Sequence, residues 1–482
     1  QSAVADLPGK WPEVDEATVE IAVQVGSEPD DGVLNIYLPT QVPSGCAAHF
    51  SAPFFGDMSR TDIDFENPLN SLLLRTIAEK GIDVILKSLS GKGEAEAAAI
   101  IDILAPTDSD EGQRWWAAIG EVFSGREIEI ESQDIALSDE GWRSLVYTSL
   151  LPALESDVVI KASLLRSEAT YPVFVQALRE RESGIRRIFD EVNISPEAMP
   201  EDNAATIEAI ARKLHKSQEP VDWSGFWQDV ESLFGKDTKP LIGKSVLLGT
   251  DNQLHSCDDR CSVFFRPRSS GSDDEVLAEG GIDDIPENLR PFIAFLNEDI
   301  QTHIPRAKGG VETTAVHRYL STGLVQSYGV ERIFSGVLVK ATPKLPHDID
   351  GTDSQLCRDI LQWGLRLLQA SKHSMEEPIR LLSKLSAPCV GGWFPIDETS
   401  FGPGWPGKNG AELDAYLRRT ATPECSNALK RLLLPPDHPL WGGMGLSSVD
   451  LLEKAGAFNG IRLVPVTGKD WDARLPSRIG RG

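Results

Sequence analysis

One histidine and two cysteines lie close together in the sequence, in an order that suits a metal ion. His255, Cys257 and Cys261 form the pattern HxCxxxC directly after a predicted hairpin. Imidazole nitrogen and thiolate sulfur are ligands that zinc prefers, and these spacings are acceptable in its structural sites. A fourth ligand does not lie nearby in the sequence, although Cys389 could approach in space. The alternative is that these are ordinary thiols that hold no metal.

A second pattern concerns phosphate binding. Gly243, Lys244 and Ser245 resemble the end of a phosphate-binding loop, but Thr238 stands where the first glycine of that motif belongs. A strand is predicted to follow, whereas the motif needs the N-terminus of a helix to cradle phosphate. We therefore expect no tight ATP binding by this chain alone. The sequence also contains no GxSxG around a serine and no HExxH, which argues against two common hydrolase classes.

Two tryptophans lie in a segment rich in glycine and proline, residues 390–410. Trp393 and Trp405 could form an exposed edge that binds a peptide or a protein partner. The alternative is that they plug a core beneath a long loop, since large aromatic side chains are mostly buried.

The elements that must position these residues begin with an alternating strand at 18–25, in which Val19, Ile21, Val23 and Val25 share one face. A strand from Val33 to Leu38 follows, then a turn at 40–45, then an extended apolar segment at 47–55. Asn67 can cap a helix and Pro68 suits its first position, so a helix is predicted to begin there. Residues 15 to about 110 should therefore form a compact α/β layer.

Periodicity predicts further elements along the chain. The helices are expected at 142–154, 171–192, 202–214, 223–234, 356–367 and 413–434, a hairpin at 245–254, and a strand at 331–341.

The first hundred residues also carry a family resemblance. The LPT strand end at 38–40, the AHFSAPFF strand at 48–55, the loop with Arg60 and the PLN helix start at 68–70 resemble the segment that follows the ATP-binding domain in sacsin-like ATPases. These belong to the GHKL superfamily, with gyrase, MutL and the heat-shock-90-type chaperones. The patches GGWFP at 391–395 and FGPGWPG at 401–407 fit the same group. Long bacterial proteins of this type include several linked to anti-phage defence.

The resemblance implies a transducer-type domain, with ATP and magnesium held by an upstream domain and no cofactor in this chain. In such domains a basic side chain commonly reaches the γ-phosphate and neutralises developing charge, and Arg60 is the candidate here. The alternative is that Arg60 pairs with Asp57, Asp62 or Asp64 and locks its own loop.

Composition limits the partners. Lys and Arg number 47 against 73 Asp and Glu, so the net charge is −26, which disfavours nucleic acid and anionic membranes. Six scattered cysteines suit a reducing cytoplasm better than a disulfide scaffold. No apolar run approaches the roughly 18 residues of a membrane span. Gln1 at the start, where a methionine would be usual, suggests a trimmed chain or a piece of a longer protein.

We therefore predict a multi-domain α/β (α+β) protein with a transducer-type α/β domain at 1–110 and mixed α/β modules at 111–270 and 271–482. Its expected role is to couple ATP-driven closure of an upstream sacsin-like GHKL domain to a protein partner or client, without catalysis of its own. The alternative is a nucleotide-independent scaffold or chaperone-like interaction module. The sequence leaves open whether the chain forms a homo-oligomer.

Overall fold

The computed structural model describes residues 3, 7, 16–26, 31–56, 63–258, 261–267, 285–305, 311–344, 349, 351, 353–371, 376–420 and 422–460. The chain divides into two compact units. The first comprises Gln1–Lys213 and Gln228–Gly235, and the second comprises Leu214–Trp227 and Lys236–Gly482.

The first unit combines short strands with longer helices. Its strands are β1 (Glu20–Ala22), β2 (Val33–Ile36), β3 (Leu38–Pro43), β4 (His49–Ser51), β5 (Ala136–Ser138) and β6 (Gly141–Arg143). Its helices are α1 (Pro68–Val84), α2 (Glu94–Leu104), α3 (Asp110–Gly125), α4 (Ala162–Glu168), α5 (Glu182–Glu191) and most of α6 (Pro200–His215), and α7 (Trp223–Phe234) is shared between the units.

Strands β1 to β4 form one mixed sheet in the order β1-β4-β2-β3. The pairs β1/β4 and β2/β3 are antiparallel, whereas β2 and β4 run parallel with Leu34 opposite Phe50. Phe50 is fully buried and its ring centroid lies 4.4 Å from that of Trp115 in α3. The Trp115 Nε1–H donates to the carbonyl of Ile103 in α2 at 2.7 Å. Helices therefore cover this sheet, as the predicted α/β layer requires.

The local predictions for this layer are partly right. Asn67 Oδ1 accepts the amide of Leu69 at 3.0 Å, which confirms the capped start of α1. The strand predicted at 18–25 shrinks to the three residues of β1. The turn predicted at 40–45 is wrong for its first part, because β3 continues through Pro43 and the chain reverses at Tyr37, whose φ is 60°.

The second unit is built from hairpins and helices. Its strands are β7 (Ser245–Leu248), β8 (Leu254–Ser256), β9 (Ser262–Phe264), β10 (Ile293–Phe295), β11 (His303–Pro305), β12 (Val311–Thr313), β13 (Ser386–Cys389) and β14 (Gly392–Pro395). Its helices are α8 (Ala315–Leu320), α9 (Val330–Ile333), α10 (Val339–Ala341), α11 (Ser354–Ala370), α12 (Glu376–Leu382), α13 (Gly410–Arg419), α14 (Pro423–Lys430) and α15 (Val449–Lys454). Among the described residues, these strands pair two by two.

The strand predicted at 331–341 is wrong. A π-helical turn, Phe334–Leu338, joins α9 to α10, so the segment is helical throughout. Its buried residues fall at the spacing of three and four that marks a helix face: Val330, Ile333, Phe334, Val337, Leu338 and Ala341. They pack in one core with the buried face of α11. The strand prediction overlooked this helical spacing in the sequence.

The fold is thus mixed α/β with small sheets. The three domain ranges predicted from the sequence stay predictions.

Candidate functional site

The sequence-predicted site residues are placed very differently from one another. Arg60, Asp57 and Asp62 lie outside the described residues. The positions that flank them are fixed by Asn70, which is fully buried. Its side-chain amide accepts the N–H of Phe55 at 2.7 Å and donates to the carbonyls of Phe55 at 2.6 Å and Asp64 at 2.8 Å. The asparagine of the PLN helix start therefore ties together the two ends of the segment that carries Arg60.

The HxCxxxC residues keep separate partners. His255 Nε2 lies 2.9 Å from Asp251 Oδ1, and the Cys257 thiol donates to the carbonyl of Gly323 at 3.6 Å. Burial raises the pKa of Cys257 and raises that of Cys261 to about 11, which disfavours the thiolates that zinc binds. Within the described part of the chain, no three histidine, cysteine or acidic side chains come together as a metal site. Zinc binding by this motif stays a prediction.

Trp393 and Trp405 are buried, with 0% and 3% of their surface exposed. The indole N–H of Trp393 donates to Ser354 Oγ at 3.1 Å, and that of Trp405 donates to the carbonyl of Leu434 at 3.0 Å. Both side chains are thus buried in a core, as expected if they plug a core beneath a long loop. Partner binding by their segment stays a prediction.

A cleft of about 410 Å³ lies in the first unit, and the sequence did not point to it. It is lined by the stretch Leu151–Leu154, which we call the wall, by the exposed start of α4, and by the buried side chains of Leu165, Phe174 and Leu178, which we call the floor. Its charged lining residues are Asp157, Arg166, Arg179 and Glu182. A volume of this size, with an apolar floor and a few polar groups, is typical of a site that takes a small ligand or part of a chain.

The loop after this wall is fixed by a buried carboxylate. Asp229 in α7 has no exposed surface and accepts the backbone amides of Val158, Val159 and Ile160 at 3.0, 2.7 and 2.7 Å. One turn further on, Ser232 Oγ accepts the amide of Glu155 at 2.8 Å. Hydrogen bonds to a charged acceptor are stronger than neutral ones, so the loop 155–160 is held firmly against α7.

The floor is fixed by a buried ion pair. Arg181 ends the 3₁₀-helix Gln176–Arg181, and its Nε and Nη2 lie 2.9 and 3.0 Å from the two carboxylate oxygens of Asp102 in α2. The two side chains are only 6% and 5% exposed. Because removing one partner would leave a buried charge unpaired, this geometry holds the short helix that carries Leu178 and Arg179.

The backbone N–H and C=O groups of the wall Leu151–Leu154 have no backbone hydrogen-bond partner among the described residues. The amide of Leu150 donates to the carbonyl of Pro196 at 2.7 Å, but from Leu151 to Leu154 no backbone hydrogen bond reaches another described residue. The four residues run without helix, turn or bend. Because Pro152 also restricts Leu151 to extended conformations, we infer that the backbone of the wall is extended. Backbone groups of this kind need a partner, which is either water or another chain.

The charges of the cleft differ in whether they are already paired. Arg166 Nη1 lies 2.7 Å from Asp139 Oδ2 and donates to the carbonyl of Phe174 at 2.7 Å. Glu182 pairs with Arg186 at 3.0 Å, and Asp157 with Lys161 at 3.6 Å. Arg179 is exposed and has no ion pair with any described residue. It is therefore the cation of the cleft that a ligand can bind without displacing an existing partner.

The sequence predicted a helix at 142–154, and this is wrong. The stretch contains β6, the short 3₁₀-helix Leu145–Tyr147 and then the extended wall. Pro152 gave a usable signal, because proline disfavours a helix interior and restricts Leu151 before it to extended conformations. The tertiary partners of the chain just before it, such as Pro172 O for the amide of Ser149, could not be found from local sequence.

The chain matches no protein-family model, no curated protein and no solved structure. Among the helices of the described residues, none is both long and apolar enough to cross a membrane.

Proposed function

We propose that this chain is a non-catalytic interaction module that holds a segment of a protein partner in the cleft of its first unit. The observation that carries the proposal is the wall Leu151–Leu154, whose extended backbone lines a concave, partly apolar site and has no partner among the described residues. Protein modules commonly bind extended segments by offering main-chain hydrogen bonds beside pockets for alternate side chains.

The test is retention of peptides from a random hexapeptide library, acetylated and amidated, by the immobilised chain. Ala162 lines the cleft at the exposed start of α4, so Ala162→Trp should obstruct the cleft without disturbing the core. The matched control is Ala117→Trp, because Ala117 is exposed on α3 and is not part of the cleft lining. We expect the wild type and Ala117→Trp to retain peptides and Ala162→Trp to retain few. Equal retention by all three proteins would remove the proposal.

We also propose that the module acts inside a larger, cytoplasmic sacsin-like GHKL ATPase, in a setting such as anti-phage defence, where closure of an upstream ATP-bound domain would be passed to the partner. The helix-covered sheet of the first unit and the Asn67–Pro68 helix start support this placement. All six cysteines are free thiols, which suits a reducing compartment. A nucleotide-independent scaffold is the alternative.

Arg60 distinguishes these two settings. In the full-length parent protein, Arg60→Ala should lower ATP turnover by about 10³-fold, the scale of a basic contact to the transferred phosphate. The folded state is checked by circular dichroism and urea unfolding. Unchanged turnover in a folded variant would favour the scaffold.

A further inference from the structure

We infer that the cleft takes an extended segment that carries one side-chain carboxylate next to an apolar side chain. This inference rests on the proposed function and adds the chemistry of the ligand to it. It follows from the donors on the wall, the apolar floor and Arg179, which has no ion pair with any described residue.

The two edges of the wall differ in the number of backbone hydrogen-bond donors that they offer to a ligand. In an extended chain the N–H and C=O groups of alternate residues face the same edge. Leu151 and Ala153 therefore present two donors and two acceptors along one edge. The other edge lacks a donor at Pro152 and keeps only that of Leu154. A ligand that adds as a strand should pair with Leu151 and Ala153.

The floor selects an apolar side chain. Val175 lines the cleft and is half-buried, beside Leu165, Phe174 and Leu178, which are 1%, 2% and 2% exposed, so Val175 provides the apolar surface that a ligand can still cover. Removing an apolar side chain of the ligand from water is favourable at about 25 cal/mol per Å² buried. In a strand, neighbouring side chains point to opposite faces, so the next residue of the ligand faces away from the buried floor and toward solvent, where the side chain of Arg179 is exposed.

Arg179 determines the charge that the ligand should carry beside its apolar side chain. A guanidinium binds a carboxylate in a two-pronged geometry, and Arg179 has no carboxylate of its own among the described residues. The net charge of −26 opposes a strongly acidic ligand at long range. A single carboxylate gains the local contact and incurs little of that repulsion.

The carboxylate is that of an Asp or Glu side chain and not a chain terminus. Modules that capture a terminal carboxylate do so with a nest of successive backbone amides. The donors of Leu151 and Ala153 are instead spaced along one edge, with Pro152 between them. This spacing suits the middle of an extended segment.

The experiment is sequencing of the hexapeptides that the immobilised chain retains from the capped random library, which contains no free terminal carboxylate. We expect enrichment of peptides with a single Asp or Glu adjacent to an apolar residue, and about tenfold tighter binding than their Asn or Gln counterparts. For Arg179→Gln the carboxylate preference should vanish while the apolar preference stays. Arg212→Gln, a control on α6 outside the cleft lining, should behave as the wild type.

Backbone pairing is tested with Ala153→Pro, which removes one donor, against Ala153→Ser, which keeps it. The proline variant should bind the retained peptides at least about tenfold more weakly, and the serine variant should bind them normally. Retention of peptides with no carboxylate preference, or with one that survives Arg179→Gln, would overturn the inference and leave the proposed function standing. Retention no greater than that of Ala162→Trp would remove both.

Discussion

At the scale of single residues, the cleft depends on side chains that are far from it in the sequence. Asp229 fixes the loop 155–160 through three amides, and Arg181 fixes the short helix of the floor through Asp102. Neither Asp229 nor Arg181 is part of a recognisable motif. Their roles depend on their burial and on the hydrogen-bond partners that the fold places beside them. Ordinary carboxylates and guanidinium groups thus become positioning residues for a site they do not line.

The first prediction concerns Asp229→Asn. The amide has one acceptor oxygen and would place its NH2 group against a backbone N–H, so the variant should lose about 2–4 kcal/mol of unfolding free energy. Asp190→Asn is the control, since Asp190 is exposed on α5, and it should change the value by no more than about 0.5 kcal/mol. Both are measured by urea unfolding. A loss for Asp229→Asn no larger than that of the control would show that the three bonds do not hold the loop.

At the scale of elements, two glycines inside helices differ in what surrounds them. A Cβ on Gly336 would lie 3.0 Å from Ser262 Oγ, which itself donates to the Gly336 carbonyl at 2.8 Å. A Cβ on Gly120 of α3 would meet no atom within 4 Å. The first glycine packs closely on Ser262 of β9, whereas the second has open space beside it.

The second prediction follows from this difference. Gly120→Ala should stabilise the chain by about 0.5–1 kcal/mol, the gain in helix propensity. Gly336→Ala should instead destabilise it by about 1–3 kcal/mol, because the packed neighbours must shift. Thermal unfolding of the two variants and the wild type measures the sign of each change in stability. A stabilising Gly336→Ala would mean that the helix of Val330–Ala341 does not pack on β9.

The same elements show what the sequence could and could not predict. Local signals sufficed for the cap at Asn67, for the hairpin of β7 and β8 and for the aromatic helix α7. The helix at 330–341 was predictable from the spacing of its apolar residues, which the strand prediction overlooked. Pro152 gave only a weak signal for the wall Leu151–Leu154, because the contacts that position the wall are made by Leu150 before it and by the loop 155–160 after it, with partners remote in sequence. The cleft therefore could not be predicted, because its floor, wall and anchors come together only in the fold.

At the scale of the whole molecule, the chain is acidic and divides into two compact units with separate cores. Each core contains buried thiols: Cys46 lies in the first, and Cys357 and Cys389 lie in the second. Burial raises the pKa of Cys46 in the first unit to about 12. In the second unit it raises the pKa of Cys357 to about 11 and that of Cys389 well above the usual value of a thiol. These three thiols are thus protonated and shielded in the native chain.

The third prediction is a labelling pattern. At pH 8 a thiol reagent should modify Cys425 on α14 at least about 100-fold faster than Cys46, Cys357 or Cys389, because the thiolate is the reactive form and burial blocks access. In rising urea, Cys46 should follow the unfolding of the first unit, and Cys357 and Cys389 that of the second. Mass spectrometry of the labelled peptides locates each site. Native labelling of Cys46 at the rate of Cys425 would contradict the described core.

The claim on which the function rests is that the wall of the cleft offers unpaired backbone groups to a partner. Residue-resolved amide hydrogen exchange measures this directly. In the free chain the amides of Leu151 and Ala153 should exchange near the rate of an unstructured peptide, while that of Leu150, bonded to Pro196, is protected. When the retained peptides are added, Leu151 and Ala153 should become protected. Protection of both amides in the free chain, or fast exchange that the peptides leave unchanged, would contradict the account.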